Sequence, residues 1–255
     1  MRGGSLQRSG DGAFGLGVEH ARPYRLRLAR YPAAAEVIEA HVGERPALAL
    51  DTGVGRGRVA RVATAPGLRW VGLDLSAQRL ATATGSGRYR LVCGDICSLP
   101  FARNCYDVVC CIQVLEHFEV AEARALAATL ASLLRPGGLL LLSVPIFPPG
   151  SIGLLHAANR IRARLGLGPI ASGGDHLSHF DLRRALELVP DGFRVTDVRG
   201  VRLFSLGGKA LENRRWWYRA HGWAGRRFPA WTIEVNIAAR KEGGGALPAD
   251  GSQTG

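Results

Sequence analysis

Short apolar runs of strand length alternate with segments of helical period from Ala34 to Val198. This alternation restricts the chain to a mostly parallel sheet with helices on both faces. Ala34, Val37, Ile38 and Val42 form one helical face, stopped by Gly43. Ala47 to Asp51 reads as a buried strand, Arg58 to Thr64 as a helix, Trp70 to Asp74 as the second strand and Ala77 to Thr82 as the next helix. Tyr89 to Cys93 and Asp107 to Ile112 are the third and fourth strands. Ala123, Leu126, Ala127, Leu130 and Leu134 line a helix that Pro136-Gly137-Gly138 should end, and Leu139 to Val144 is the fifth strand. Asp181 can cap a helix carrying Leu182, Leu186 and Val189. Phe193 to Val198 and Trp231 to Ala238 supply the last two strands. The expected fold is an α/β doubly wound, mostly parallel, seven-stranded sheet with inserted cap segments.

Residues 1–19 read as a flexible tail, as do residues 242–255 with their Gly-Gly-Gly run. Residues 20–241 form one domain with insertions at about 147–175 and 202–230. A hydrophobic content of 47% supports a sizeable core and excludes wholesale disorder. The longest apolar run, Leu139 to Leu142 with its flanks through Phe147, is far too short to span a bilayer. Met1 to Gly17 lacks the apolar stretch of a signal peptide, so a cytoplasmic protein is expected. Five cysteines, at 93, 97, 105, 110 and 111, form neither a metal-ligand pattern nor an even disulfide set.

The loop after the first strand is the most informative stretch. Asp51-Thr52-Gly53-Val54-Gly55-Arg56-Gly57 runs straight into a helix N-terminus, where glycines allow a tight turn and close approach of a ligand. A dinucleotide fingerprint would need a third glycine at position 58, which is Arg58. The acid at the strand end would repel a pyrophosphate and attract an ammonium group. These two features disfavour a nicotinamide-dependent reductase. Asp74 ends the second strand, where a carboxylate can accept both hydroxyls of a ribose, and Gly94-Asp95-Ile96 closes the third, beside an adenine. One such aspartate is commonly a turn or cap residue. Three at the ends of consecutive parallel strands form a ligand-binding edge.

This set resembles the class I S-adenosylmethionine-dependent methyltransferases over roughly residues 30–200 and the final strand. The resemblance rests on Leu48-Ala-Leu-Asp-Thr-Gly-Val-Gly-Arg-Gly57, Val71-Gly-Leu-Asp74, Gly94-Asp95 with Leu99-Pro100-Phe101, Asp107 to Phe118, and Leu134-Arg-Pro-Gly-Gly138. It implies S-adenosyl-L-methionine as cofactor. Asp51, Thr52, Gly53 and Gly55 would face its methionine end. Asp74 and Leu75 would hold the ribose, Asp95 and Ile96 the adenine, and Ile112 or Gln113 would line the wall near the sulfonium. Thr52 and Val54 stand where the family often has Leu and Cys. Cys111-Ile-Gln-Val-Leu-Glu-His-Phe118 resembles the small-molecule branch that includes ubiquinone-biosynthesis O-methyltransferases. Some of those carry Glu-x-x-Glu-His, proposed to hold a divalent metal; here Gln113 replaces the first acid, so no metal site is expected. The Asn/Asp-Pro-Pro-Tyr signature of enzymes that methylate exocyclic or amide nitrogens is absent after the fourth strand.

Methyl transfer from a sulfonium is an in-line displacement helped by positioning and, for a hydroxyl acceptor, by a general base. His117 follows the fourth strand, and His176 and His179 precede the Asp181 helix. His117 and His176 are the catalytic candidates, weighed against packing at a helix start and pairing with a carboxylate. Tyr106, Cys110 and Cys111 read as packing residues.

The formal net charge is +12, and 31 of the 33 basic residues are arginines. A GC-rich coding sequence gives such a skew without any function, whereas clustering points to anionic partners. Arginines 22, 25, 27 and 30 cluster before the first helix, and residues 202–231 hold seven basic side chains against Glu212 alone. Leu154, Leu155, Ala158, Ile161 and Leu165 share a helical face across from His156, Arg160 and Arg164. Such a helix either packs as an ordinary cap or lies on an anionic membrane, and glycines 166, 168, 173 and 174 around it suggest a movable lid. The 202–231 stretch interleaves arginines with Phe204, Trp216, Trp217, Tyr218, Trp223 and Phe228, which suits lipid, an acceptor pocket or single-stranded RNA. The expected partner is a small-molecule acceptor, methylated on an oxygen of a lipid, quinone-like or natural-product metabolite. Peripheral contact with an anionic membrane through 151–168 or 202–230 is a second expectation. Nucleic acid ranks behind both, since no RNA-binding module accompanies the basic segment. The competing functions are an RNA methyltransferase and a non-catalytic cofactor-binding scaffold that activates a partner.

Overall fold

The structure is a computed structural model and describes residues 28–83, 89–166, 176–203 and 214–243. The tail expected at 1–19, residues 244–255 of the tail expected at 242–255, arginines 22, 25 and 27, glycines 168, 173 and 174, and Phe204 lie outside the described residues.

Seven strands form one sheet in the order β3-β2-β1-β4-β5-β7-β6. They are β1 (Ala47–Thr52), β2 (Leu68–Asp74), β3 (Tyr89–Cys93), β4 (Tyr106–Ile112), β5 (Leu134–Pro145), β6 (Phe193–Gly200) and β7 (Glu234–Lys241). The first five run parallel, and β7 lies antiparallel between β5 and β6. Reversal of strand order beside β1 opens a crevice at the carboxyl ends of β1 and β4, where doubly wound sheets bind ligands. The central strands read as continuous apolar runs because both faces are covered; every residue of β4 is buried.

One face carries α1 (Arg30–Val42) and α2 (Arg58–Val62), whose Ala34, Ile38, Val42, Val59 and Ala60 pack on Ala49, Val108, Cys110, Leu139 and Leu141. The other carries α4 (Val120–Ser132) and α6 (Leu182–Leu186), with Leu126, Leu130 and Ala185 against Val109, Cys111, Leu140 and Leu142. The short α3 (Ala77–Thr82) follows β2, α5 (Ser151–Arg164) follows β5, and α7 (Arg215–Arg227) lies between β6 and β7. Gly43, at φ +59°, ends α1, and the Glu119–Glu122 capping box starts α4.

Three boundaries differ from expectation. α4 ends at Ser132, and Leu134 pairs with Tyr106 as the start of β5. The next pair is Leu139 with Val108, so residues 135–138 form a bulge, to which Pro136 brings no N–H and Gly137 brings φ +77°. α2 stops at Val62, before Thr64. Trp231 lies in a 3-10 turn, Pro229–Trp231, with proline at its first position, and β7 begins only at Glu234.

Candidate active site

The β1 loop is held by backbone bonds. Gly53 and Val54 N–H both donate to the Leu73 carbonyl (2.8 and 2.9 Å), and Gly57 N–H donates to Val54 (2.8 Å). Gly53 has φ +71°, and a Cβ there would stand 2.3 Å from Val114 Cγ2. Only glycine meets both conditions. The same contact ties the cofactor loop to the segment after β4.

Asp51 is buried, and the Tyr89 hydroxyl donates to its Oδ2 at 2.8 Å. Burial pushes its carboxyl up to about 7, with the Asp74 charge adding to the rise and the Tyr89 hydrogen bond opposing it. Burial and the neighbouring Asp51 charge in turn push the Tyr89 phenol far up. Asp74 accepts from Gly55 N–H through Oδ2 and from Ser76 N–H through Oδ1, both at 2.9 Å. A carboxylate accepts about four hydrogen bonds, so each oxygen keeps capacity for a ribose hydroxyl. Leu75 beside it is 66% exposed, an apolar surface left open at the strand end. Asp95 is exposed and accepts from Cys97 N–H at 2.8 Å, while Ile96 is half-buried. The glycine cradle and the carboxylates at three strand ends thus fit S-adenosylmethionine.

Two of the expected cofactor residues are buried. Thr52 is fully buried and its hydroxyl donates to the Cys110 carbonyl at 2.9 Å, so its side chain holds β1 to β4. Ile112 packs in the core on the α1 face. Gln113, the other wall candidate, is half-buried at φ +57° with its N–H on the Ser143 carbonyl.

After β4 the chain makes a 3-10 turn, Leu115–His117. The Glu116 carbonyl accepts from Leu177 (2.9 Å) and Ser178 (3.1 Å) N–H, and the Ser178 hydroxyl donates to the Phe118 carbonyl. These bonds bring His176 to His117, with ring centroids 5.3 Å apart at 77°. The two histidines singled out from sequence therefore meet, whereas His179 packs against Phe147, with ring centroids 5.1 Å apart at 43°. Glu116 is buried beside them; burial pushes its carboxyl up to about 7, with Arg30 opposing and Glu234 reinforcing. One ligand atom from each of Glu116, His117 and His176 lies within 4.8 Å of the others. One carboxylate and two imidazoles suit a divalent ion as well as a proton relay. Spacing hid this set, because His176 arrives from sixty residues away.

Behind the histidines, Glu234 takes Arg30 (2.8 Å) and Arg202 (3.3 Å). Ser143 and Asn236 face each other across β5 and β7. Gln113 Nε2, Glu116 Oε2, Ser143 Oγ, Glu234 Oε2 and Asn236 Oδ1 are all buried without a hydrogen-bond partner among the described residues. Native interiors leave few such groups unpaired, and water or a polar ligand group could satisfy them. Sequence reading missed Tyr89, Ser143, Arg202, Glu234 and Asn236. A usable signal existed for two of them: Glu234 and Asn236 alternate with Ile233, Val235 and Ile237 in a strand buried on both faces.

Residues 50–142 match the family described as a methyltransferase domain. Among solved structures, magnesium protoporphyrin IX methyltransferase from Synechocystis PCC 6803, with bound S-adenosylhomocysteine, is 18% identical with TM-score 0.56, covering 85% of this chain and 84% of that one. The 1,6-didemethyltoxoflavin-N1-methyltransferase of Burkholderia thailandensis is 22% identical with TM-score 0.54, covering 82% and 77%. The [4+2]-cyclase SpnF is 20% identical with TM-score 0.54, covering 84% and 81%. No curated protein matches the chain significantly. Residues 50–142 thus carry the methyltransferase-domain match, and the seven-stranded sheet is that of the class I, Rossmann-like methyltransferase fold.

Proposed function

We propose that the chain methylates an oxygen of a small molecule whose polar end enters the corner lined by Gln113, Glu116, Ser143, Glu234 and Asn236. The observation that carries this reading is the meeting of His117, His176 and the unpartnered Glu116 Oε2 next to the glycine loop, with Val114 touching Gly53. When bound, S-adenosylmethionine supplies a methyl group on a sulfonium. Asp51 would hold the amino-acid end beside the glycine loop, Asp74 with Leu75 the ribose, and Asp95 with Ile96 the adenine. The imidazole pair would take the proton of the acceptor hydroxyl as its oxygen is methylated, S-adenosylhomocysteine being the leaving product. Glu116 sits beside the pair, where its charge favours the imidazolium that forms.

The two methyltransferases above are described with small-molecule substrates, which supports this class of acceptor. SpnF, a cyclase on the same fold, shows that fold alone does not fix the reaction. The test is product formation from labelled S-adenosylmethionine with hydroxylated lipid, quinol and phenolic acceptors. Product is expected with the native chain and loss of it with His117→Ala or His176→Ala at unchanged cofactor affinity. Loss on chelation with restoration by a divalent ion would give the three donors a metal role. Cofactor binding with no product across the panel would favour a non-catalytic scaffold, and salt-sensitive labelling of RNA the nucleic-acid alternative.

A further inference from the structure

We propose that the outer face of α7, with the turn behind it, is a docking surface for an anionic lipid bilayer. This rests on the surface alone and stands apart from the reading of the reaction.

β6 and β7 are antiparallel neighbours, with Gly200 paired to Val235. A tight turn would connect such a pair. Residues 201–233 intervene instead, and α7 is their described helix. Its inner face is fixed: His221, Ala224 and Gly225 are buried. A Cβ on Gly225 would stand 1.9 Å from the Gly200 carbonyl oxygen, so helix and strand touch backbone to backbone. His221 Nδ1 accepts the Leu203 N–H at 3.2 Å, which pins the segment beside Arg202 and the polar corner.

The outer face is the opposite. Trp216 and Trp223, two turns apart, are 59% and 65% exposed; Phe228 and Trp231 follow at 44% and 56%. Large aromatics concentrated in this way on a surface mark an interaction site. Between and around them Arg214, Arg215, Arg219, Arg226 and Arg227 are all exposed, and residues 213–233 contain no acid. Indole rings framed by arginines on a surface helix match the headgroup zone of an anionic membrane: the rings enter the interface and the guanidinium groups meet lipid phosphates. Edge-to-face neighbours fix the exposed indoles in place, Trp216 by Trp217 at 69° and Trp223 by Phe228 at 79°. Lipid rather than RNA is favoured because exposed indoles on an amphipathic helix ringed by arginines suit an interface, and no RNA-binding module accompanies them. No helix among the described residues is long and apolar enough to cross a membrane, so the contact is peripheral.

The experiment is co-sedimentation of the full chain with phosphatidylcholine vesicles, with and without phosphatidylglycerol, read alongside tryptophan emission. Binding is expected with the anionic vesicles, accompanied by a blue shift and weakened by salt. Trp216→Ala with Trp223→Ala should lower partitioning by about ten-fold or more, and Arg215→Glu with Arg219→Glu should abolish the preference for phosphatidylglycerol. Both variants should keep native calorimetric binding of S-adenosylmethionine, which shows that they are folded. Absence of vesicle binding, native partitioning by the tryptophan variant, or tight binding of single-stranded RNA in place of vesicles would overturn the proposal. So would a concentration-dependent dimer dispersed by the tryptophan variant, since the face would then meet a second copy.

Discussion

The two ends of the sheet present ligand-facing groups by different means. At β1, β2 and β3 each carboxylate closes its own strand, and local backbone bonds shape the loop: Gly53 and Val54 on Leu73, Gly55 on Asp74, Gly94 on Asp74. At β4, β5 and β7 the corner is assembled from Arg30, Glu116, Ser143, His176, Arg202 and Glu234, drawn from most of the chain and joined by ion pairs and long-range backbone bonds. A site made by strand ends survives sequence change as long as turns and end residues persist. A site made by distant side chains is free to diverge, which is how one fold comes to serve many acceptors.

The comparison is broken most forcefully at Glu234. It is buried between Arg30 and Arg202, and Glu234→Ala would leave two largely buried guanidinium groups without their anion. We expect a loss of about 3 kcal/mol or more in denaturant unfolding, with Glu234→Gln milder. A change below about 1 kcal/mol would mean that this corner relaxes as a surface does.

That contrast also explains what the sequence made legible. The succession of strands and helices and the glycine turn at Asp51–Gly57 were readable because each is a contiguous pattern with a local physical cause. His117 and His176 were named individually, but their meeting depends on Leu177 and Ser178 donating to the Glu116 carbonyl, which no spacing encodes. The burial of Thr52 and Ile112 was not legible, because strand-end residues alternate between the two faces and register decides which one is covered. Glu234 and Asn236 were overlooked although a buried strand with two polar residues carries its own signal.

Next in size is Gly53→Ala, which meets Val114 Cγ2 at 2.3 Å in a left-handed conformation. Cofactor affinity should fall by about 2 kcal/mol or more. Adding Val114→Ala should restore the part owed to the clash and leave the part owed to φ. Full restoration would show that contact with the β4 segment, not loop conformation, demands the glycine. Asp74→Ala should then cost about 1–3 kcal/mol in cofactor binding, as charge-assisted hydrogen bonds are lost. Calorimetry reads both, and unchanged affinity would remove Asp74 from the site.

A smaller effect separates the two ends by pH. Burial raises the Asp51 carboxyl to about 7, so the folded chain keeps a proton that the unfolded chain releases above about 4. The folded state then binds more protons, and this group's contribution makes stability fall as pH rises from about 4 to 7. Asp51→Asn should make that part of the thermal stability profile shallower, leaving the like-signed contribution of Glu116, which burial also pushes up to about 7. It should also abolish a rise in cofactor affinity through pH 7 that ionised Asp51 gives the native chain. An unaltered affinity profile would move the ammonium contact to other groups.

The smallest change tests how the acceptor end is held. Asp181 caps α6 by accepting the Arg184 N–H at 2.8 Å, five residues beyond His176. Asp181→Ala should cost about 1 kcal/mol of stability, the usual value of an N-cap. Turnover should stay within about two-fold of native, because a 1 kcal/mol cap holds the helix and not the reacting groups. His176 is fixed from the other side, by the two N–H groups on the Glu116 carbonyl and by the Ser178 hydroxyl on Phe118. If turnover falls further than stability accounts for, the histidine pair is positioned through α6. The acceptor end would then depend on helix packing as the cofactor end depends on its loop.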